Sequence, residues 1–201
     1  MKIFCIGRNY IDHVLELKNE KPDAPVVFMK PSTALLREDK PFFYPDFSKN
    51  IHFECEWVIK VARHGKAIHP EFAHKYISEM TLGIDFTARD LQDQAKENRH
   101  PWELAKAFDH SAAIGDWRSY NPDRSDFEFF LSKNGEEVQR GNTRQMMFSL
   151  PEIISFLSTF FTLQKGDVIF TGTPAGVGPV QKGDLLEGTL EGDKVLHCPI
   201  K

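Results

Sequence analysis

The chain has 201 residues, 41% of them hydrophobic and seventeen of them Phe, which suits a packed domain spanning 1–201 and excludes a disordered chain. A formal net charge of −4, with no Lys/Arg block, argues against a nucleic-acid footprint or a polybasic membrane patch. No apolar run approaches the roughly 20 residues that span a bilayer, and the apolar start "MKIFCIG" is too short for a secretory leader.

"KIFCIG" reads as a short buried strand ending at Gly7. Apolar spacing in "YIDHVLEL" (10–17) predicts a helix with Asn9 as its N-cap. The polar, proline-punctuated "KNEKPDAP" (18–25) suggests a mobile surface segment, and "VVFMKP" a strand stopped by Pro31. Residues 51–61 alternate as one strand. Ile51, Phe53, Cys55, Trp57, Ile59 and Val61 share one face, while His52, Glu54, Glu56, Val58 and Lys60 share the other. "TLGIDF" (81–86) is a strand that delivers Asp85 at its end, followed by a helix over 87–99 and a further helical turn or two at 101–109. Asn134-Gly135 marks a hairpin within 127–142. "SLPEIISFLSTFFTL" is an amphipathic helix with Ser149 at the N-cap and Pro151 and Glu152 in its first turn. A strand then enters the glycine-rich loop "TGTPAGVG" (171–178), and short strands close the chain. Strands without regular βαβ alternation predict an α+β fold. Cys5, Cys55 and Cys198 stand far apart with no CxxC pair, so reduced thiols in a cytoplasmic protein are expected.

Glu54 and Glu56 share a strand face, so their carboxylates can converge. Two such charges about 4 Å apart repel by about 4 kcal/mol at an effective dielectric of 20, and an enclosed pair needs a cation or a raised pKa. Asp85 at a second strand end could complete an all-oxygen cluster suited to Mg²⁺ or Mn²⁺, with Ca²⁺ also acceptable. An E-x-E strand is more often a solvated face, and spacing alone leaves both readings open. Cys55 points away from both glutamates, so a cysteine–metal site is the weakest reading. His52 lies on the glutamate face, as a ligand or as an exposed neighbour. His13 and Glu16, three apart on a helix, form either a general base with its orienting carboxylate or a surface pair. Lys106 and Asp109 repeat that spacing, with a surface ion pair as the plain alternative. Lys30 is a substrate anchor or an exposed strand-end lysine. The loop 171–178 offers backbone N–H groups to an anion, but it lacks a P-loop ending, and no G-x-G-x-x-G or G-x-S-x-G element is present.

Taken together and in order, "GRNYIDHVLE", "FMKPST", "HFECE", "GIDFTARDLQ", "PWELAKAFD", "NGEEVQRGNT" and "GDVIFTGTPAGVGP" resemble the fumarylacetoacetate hydrolase family. The likeness is to its short single-domain branch of acylpyruvate hydrolases and oxaloacetate decarboxylases, and it covers nearly the whole chain. It implies a mixed β-roll with peripheral short helices, usually homodimeric. It also implies metal ligands Glu54, Glu56 and Asp85, a lid dyad of His13 and Glu16, and substrate contacts from Lys30, Arg89, Gln92, Lys106 and Thr173. The implied reaction is divalent-metal-dependent cleavage of the C–C bond of a 3-acylpyruvate, with His13 activating water and Lys106 and Thr173 holding the substrate. Residues 18–25 would close over the site. Oxaloacetate decarboxylation and keto–enol isomerisation of a related 2-oxo diacid are the rivals within the family. A non-catalytic, metal-dependent diacid-binding module is the rival outside it. Ala107 where many relatives carry glycine, the bulk of Trp57, and the loosely matching end "GTLEGDKVLHCPIK" bear on substrate identity more than on the metal site.

Overall fold

Both faces of the first strand, β1 (Ile3–Gly7), are apolar, and the fold uses both. Phe4 and Ile6 enter the larger of two buried apolar clusters, while Ile3 and Cys5 enter the smaller. The computed structural model describes residues 1–16, 21–36, 40–124 and 126–201. Its main sheet runs β2 (Val26–Lys30), β1, β12 (Val168–Phe170), β5 (Cys55–Val61), β6 (Ile77–Asp85), β8 (Ala112–Ile114) and β3 (Leu35–Leu36), with β9 (Arg118–Ser119) also paired to β6. The pairs β1–β12 and β3–β8 are parallel and the remaining pairs antiparallel, which makes the sheet mixed.

An antiparallel sheet of β11 (Glu136–Asn142), β10 (Glu128–Lys133), β14 (Leu185–Leu190) and β15 (Asp193–Pro199) packs over β5 and β6. Trp57 stacks on Phe127 in that layer with ring centroids 5.3 Å apart, so its bulk is absorbed by the core. A small third sheet joins β13 (Gly178–Pro179), β4 (Ile51–Phe53) and β7 (Thr87–Ala88). The helices α1 (Ile11–Glu16), α2 (Arg89–Glu97), α3 (Glu103–Lys106) and α4 (Leu150–Phe160) are short and peripheral. The fold is thus the α+β, mixed β-roll expected. Among the described residues, no helix is long and apolar enough to cross a membrane.

Local sequence chemistry sets several elements. Asn134 and Gly135 adopt φ of 55° and 86°, the paired left-handed values that a two-residue hairpin loop requires. At the start of α4, the Glu152 carboxylate accepts from the Ser149 backbone N–H at 2.7 Å and from its hydroxyl at 2.6 Å.

The differences from the sequence reading have physical causes. Residues 51–61 form two strands, not one. The chain changes sheets at Glu54, but the apolar–polar alternation of the sequence continues through the change, so periodicity does not reveal it. Thr87 and Ala88 are strand, and the helix there starts at Arg89. Asn9 is fully buried and clasps two distant segments instead of capping α1. Its Nδ2 donates to the Thr171 carbonyl at 2.8 Å and the Phe148 carbonyl at 3.1 Å, and its Oδ1 accepts from Phe148 N–H at 2.8 Å. Leu17 of the predicted first helix and residues 18–20 of the expected lid lie outside the described residues. All three cysteines are buried, and no disulfide forms among the described residues.

Candidate metal centre

Cross-strand partners in an antiparallel pair project to the same face. The β5–β6 register sets Glu56 opposite Gly83, and Asp85 N–H donates to the Glu54 carbonyl at 2.9 Å two pairs further along. Glu54, Glu56 and Asp85 therefore emerge side by side, with each offering a carboxylate oxygen within 4.8 Å of the others. They are only 6%, 2% and 1% exposed, so the solvated-face reading fails.

Three buried anions require compensation. Lys106 Nζ lies 2.8 Å from Glu54 Oε2, 2.7 Å from Asp85 Oδ2 and 2.6 Å from Thr87 Oγ1. Lys30 Nζ reaches Asp85 Oδ1 at 2.7 Å and also donates to the Ser111 hydroxyl and the Lys106 carbonyl. Arg89 donates to Glu54 Oε1 at 2.6 Å and to Gln92 Oε1 at 2.5 Å. The compensation is uneven. Burial pushes the Glu54 carboxyl up, but Lys106 and Arg89 together more than offset this and hold it below the usual carboxylate range. Glu56 has no cation against it and accepts one backbone bond, from Gly172 N–H at 2.6 Å. Burial, then the charges of Asp85 and Glu54, drive its carboxyl well above the ordinary value. An all-oxygen donor set already seating an ammonium between two members, with the third uncompensated, fits a hard divalent cation.

The glycine-rich loop does meet anions, but they are the protein's own. Gly172 N–H serves Glu56, and Gly176 N–H donates to Glu16 Oε1 at 3.0 Å. Glu16 Oε2 lies 3.2 Å from His13 Nδ1, so the dyad is assembled and tied to the loop. The loop is held against the edge of β5: Thr171 donates to the Trp57 carbonyl at 2.7 Å and Thr173 to the Cys55 carbonyl at 2.8 Å. Gln139 of β11 completes the tie, accepting from Cys55 N–H at 2.9 Å and donating to Thr173 Oγ1 at 2.8 Å and the Pro174 carbonyl at 2.9 Å. Gly172 has φ of +103°, and a Cβ added there would lie 2.7 Å from the Asn9 Cβ. Gly172→Ala is expected to destabilise the fold by about 2–4 kcal/mol through left-handed strain and overpacking, read from denaturant midpoints. A loss below about 0.5 kcal/mol, the scale of an innocuous surface change, would contradict that packing.

The three carboxylates, His13, Arg89, Gln92, Lys106 and Thr173 line one cavity of about 40 Å³. Glu16 stands behind His13, and Lys30 is sealed beneath Asp85, fully buried and away from the cavity. Lys30 is thus placed to brace Asp85, not to be an exposed strand-end lysine. Lys106 pairs with Glu54 and Asp85 and not with Asp109. The Thr173 hydroxyl proton is already given to Cys55. His52 lies outside the cavity, 3.0 Å from Asn50 Oδ1, with its imidazole pushed down to about 4 by burial and then by Arg89. Sequence reasoning missed Gln139, which arrives from a different sheet with no local signal, and the cavity-lining Arg8, Phe28, Lys96 and Trp102. Phe28 and Trp102 stood inside the quoted motifs, but nothing in their spacing gave them a role.

A mixed β-roll that gathers three buried acids beside a loop-tethered His–Glu pair defines the kind of enzyme to look for. The chain belongs to the fumarylacetoacetate (FAA) hydrolase C-terminal family, matched over residues 2–200, and is an enzyme of that family. It is 41% identical over 192 residues to oxaloacetate tautomerase FAHD1, mitochondrial, of Bos taurus, covering 94% of this chain and 87% of that one. A solved fumarylpyruvate hydrolase from Pseudomonas aeruginosa, in complex with Mn²⁺ and pyruvate, superposes with a TM-score of 0.94 at 34% identity, over 100% of this chain and 89% of that one. A 5-carboxymethyl-2-hydroxymuconate delta-isomerase from Mycobacterium smegmatis gives 0.88 at 34% identity, over 99% and 78%.

Proposed function

We propose that the chain is a divalent-metal-dependent hydrolase that cleaves the C–C bond of 3-acylpyruvates such as acetylpyruvate or fumarylpyruvate. The observation that carries this reading is the convergence of Glu54, Glu56 and Asp85 on the cavity that also receives His13. Mg²⁺ or Mn²⁺ would be held by the three carboxylates and, when bound, would supply Lewis-acid stabilisation of negative charge developing on a 2-oxo acid. The similarity to a fumarylpyruvate hydrolase that binds Mn²⁺ and pyruvate supports both the ion and the substrate class.

The chain's own groups divide the remaining work. The Glu16 carboxylate accepts from His13 Nδ1, which leaves Nε2 free to take a proton from water attacking the distal carbonyl. All three donors of Lys106 are engaged, two of them on would-be metal ligands. Were those lone pairs given to a bound ion, the Lys106 ammonium would be free to hold a substrate oxygen. Gln92 receives Arg89 on its carbonyl oxygen, so its amide N–H₂ remains for the substrate. The cavity of about 40 Å³ has room for about three waters.

Tautomerisation of oxaloacetate is the second reading, favoured by the 41% identity to proteins named for that activity. It uses the same site, with His13 moving a proton on the substrate instead of activating water. A panel of acetylpyruvate, fumarylpyruvate and oxaloacetate with Mg²⁺ or Mn²⁺ tests both. Turnover is expected to fall to background with EDTA and to return when metal is restored. Activity that persists in EDTA would remove the metal from the reaction. Tight ligand binding with no turnover on any substrate would favour the binding module.

A further inference from the structure

We propose that Arg8 and Lys96 form a subsite for a second carboxylate at the far end of the substrate, so that 2-oxo diacids are preferred over 2-oxo acids with uncharged tails. This rests on the reading of the cavity as a 2-oxo acid site and extends it to the other end of the molecule.

Arg8 and Lys96 line the same cavity as the three carboxylates. The other cations nearby are spent: Lys30 and Lys106 on Asp85, and Arg89 and Lys106 on Glu54. Arg8 has no hydrogen-bond or ion-pair partner among the described residues. Lys96 has only a loose contact there, 3.8 Å to Asp93. Arg8 is also held at φ 58°, a left-handed conformation that costs a residue with a Cβ about 1–2 kcal/mol. A cation kept facing a cavity by a strained backbone, with no acid to meet it, suits an anion that arrives with the substrate. The Lys96 ammonium is pulled below its ordinary value by burial, then by Arg89, with Arg8 adding to the effect, so like charges crowd one wall. Lys30, Lys106 and Arg89 are taken by Asp85 and Glu54, and none of them pairs with Glu56, which leaves Arg8 and Lys96 as the uncommitted cations among the described residues lining the cavity.

A competing exit exists. Phe28 and Trp102, edge to face at 6.0 Å, separate the cavity from a neighbouring one of about 310 Å³ lined by Val26, Val27, Met29 and Pro101. Among the described residues lining it, the only lysine or arginine is the engaged Lys106, and Glu103 would repel an anion. An uncharged tail would go that way, and a carboxylate would go to Arg8 and Lys96.

Calorimetry on the Mn²⁺-loaded protein separates the two with 2-oxoglutarate and 2-oxopentanoate, five-carbon acids that differ in a terminal carboxylate or methyl. Wild type is expected to bind the diacid more tightly. Arg8→Gln and Lys96→Gln should each cut that preference about 10- to 100-fold, the worth of a charge-assisted hydrogen bond. The turnover preference for fumarylpyruvate over acetylpyruvate should fall in step, and thermal midpoints monitor folding of both variants. Equal affinity of wild type for the two acids, tighter binding of 2-oxopentanoate, or a preference that survives the double variant would overturn the proposal. Absence of turnover on acylpyruvates would sink the hydrolase reading alone, since the binding ratio is measured without it.

Discussion

Asp85→Asn is expected to cost the metal-free protein about 3–5 kcal/mol of stability, the usual penalty for breaking a buried ion pair. Glu56→Gln is expected to cost nothing or to stabilise, although both lose the metal. The contrast follows from what each carboxylate faces. Asp85 receives both Lys30 and Lys106 at 2.7 Å, and all three side chains are buried. Neutralising it leaves the Lys30 ammonium with no acid partner among the described residues and Lys106 with Glu54 alone, where water cannot replace the lost charge. Glu56 faces no cation and repels Asp85 and Glu54. A glutamine there keeps an oxygen for Gly172 N–H and removes the repulsion. Affinity for Mn²⁺ should drop in both by more than the 10- to 100-fold typical of groups behind a ligand. Denaturant midpoints in EDTA, set beside Mn²⁺ calorimetry, check both halves. Equal destabilisation by the two substitutions would mean that the charges are not apportioned as described.

Glu16→Ala is expected to lower acylpyruvate turnover about 10²- to 10⁴-fold, the range for loss of general acid–base assistance, with Mn²⁺ affinity largely kept. Glu16 makes no contact with the three carboxylates, and its two oxygens are committed to His13 Nδ1 and Gly176 N–H. Its removal leaves the ion's site intact but releases the imidazole tautomer and the clasp on α1. Oxaloacetate decarboxylation needs no attacking water and should fall far less in the same variant. Steady-state rates on both substrates, with metal titrations alongside, give the answer. Unchanged acylpyruvate turnover would take the dyad out of the mechanism.

The cluster of three carboxylates was legible because a strand's period of two is stamped on Glu54 and Glu56, and because Asp85 closes an apolar run. What periodicity could not carry was the change of sheet at Glu54, since apolar and polar residues alternate in the sequence on both sides of it. Lys30 read as a substrate anchor because its strand ends in a lysine and a proline. Only the tertiary fold brings Asp85 and Ser111 over that ammonium and seals it. Gln139 stood inside a quoted motif without a role, since its partners are 34, 35 and 84 positions away in the chain. Asn9 satisfied every local rule for a cap and was taken by two distant carbonyls instead.

Gly172 and Gly176 sit on one short stretch of backbone, one gripping Glu56 and the other Glu16. That stretch works as a ruler between the ion's seat and the proton-handling pair. A displacement of the loop carries both together, so their separation survives breathing of the surrounding walls. New reactions on this frame would then arise by reshaping the surfaces around the ruler, while a one-residue insertion between the two glycines would disable every chemistry the site supports.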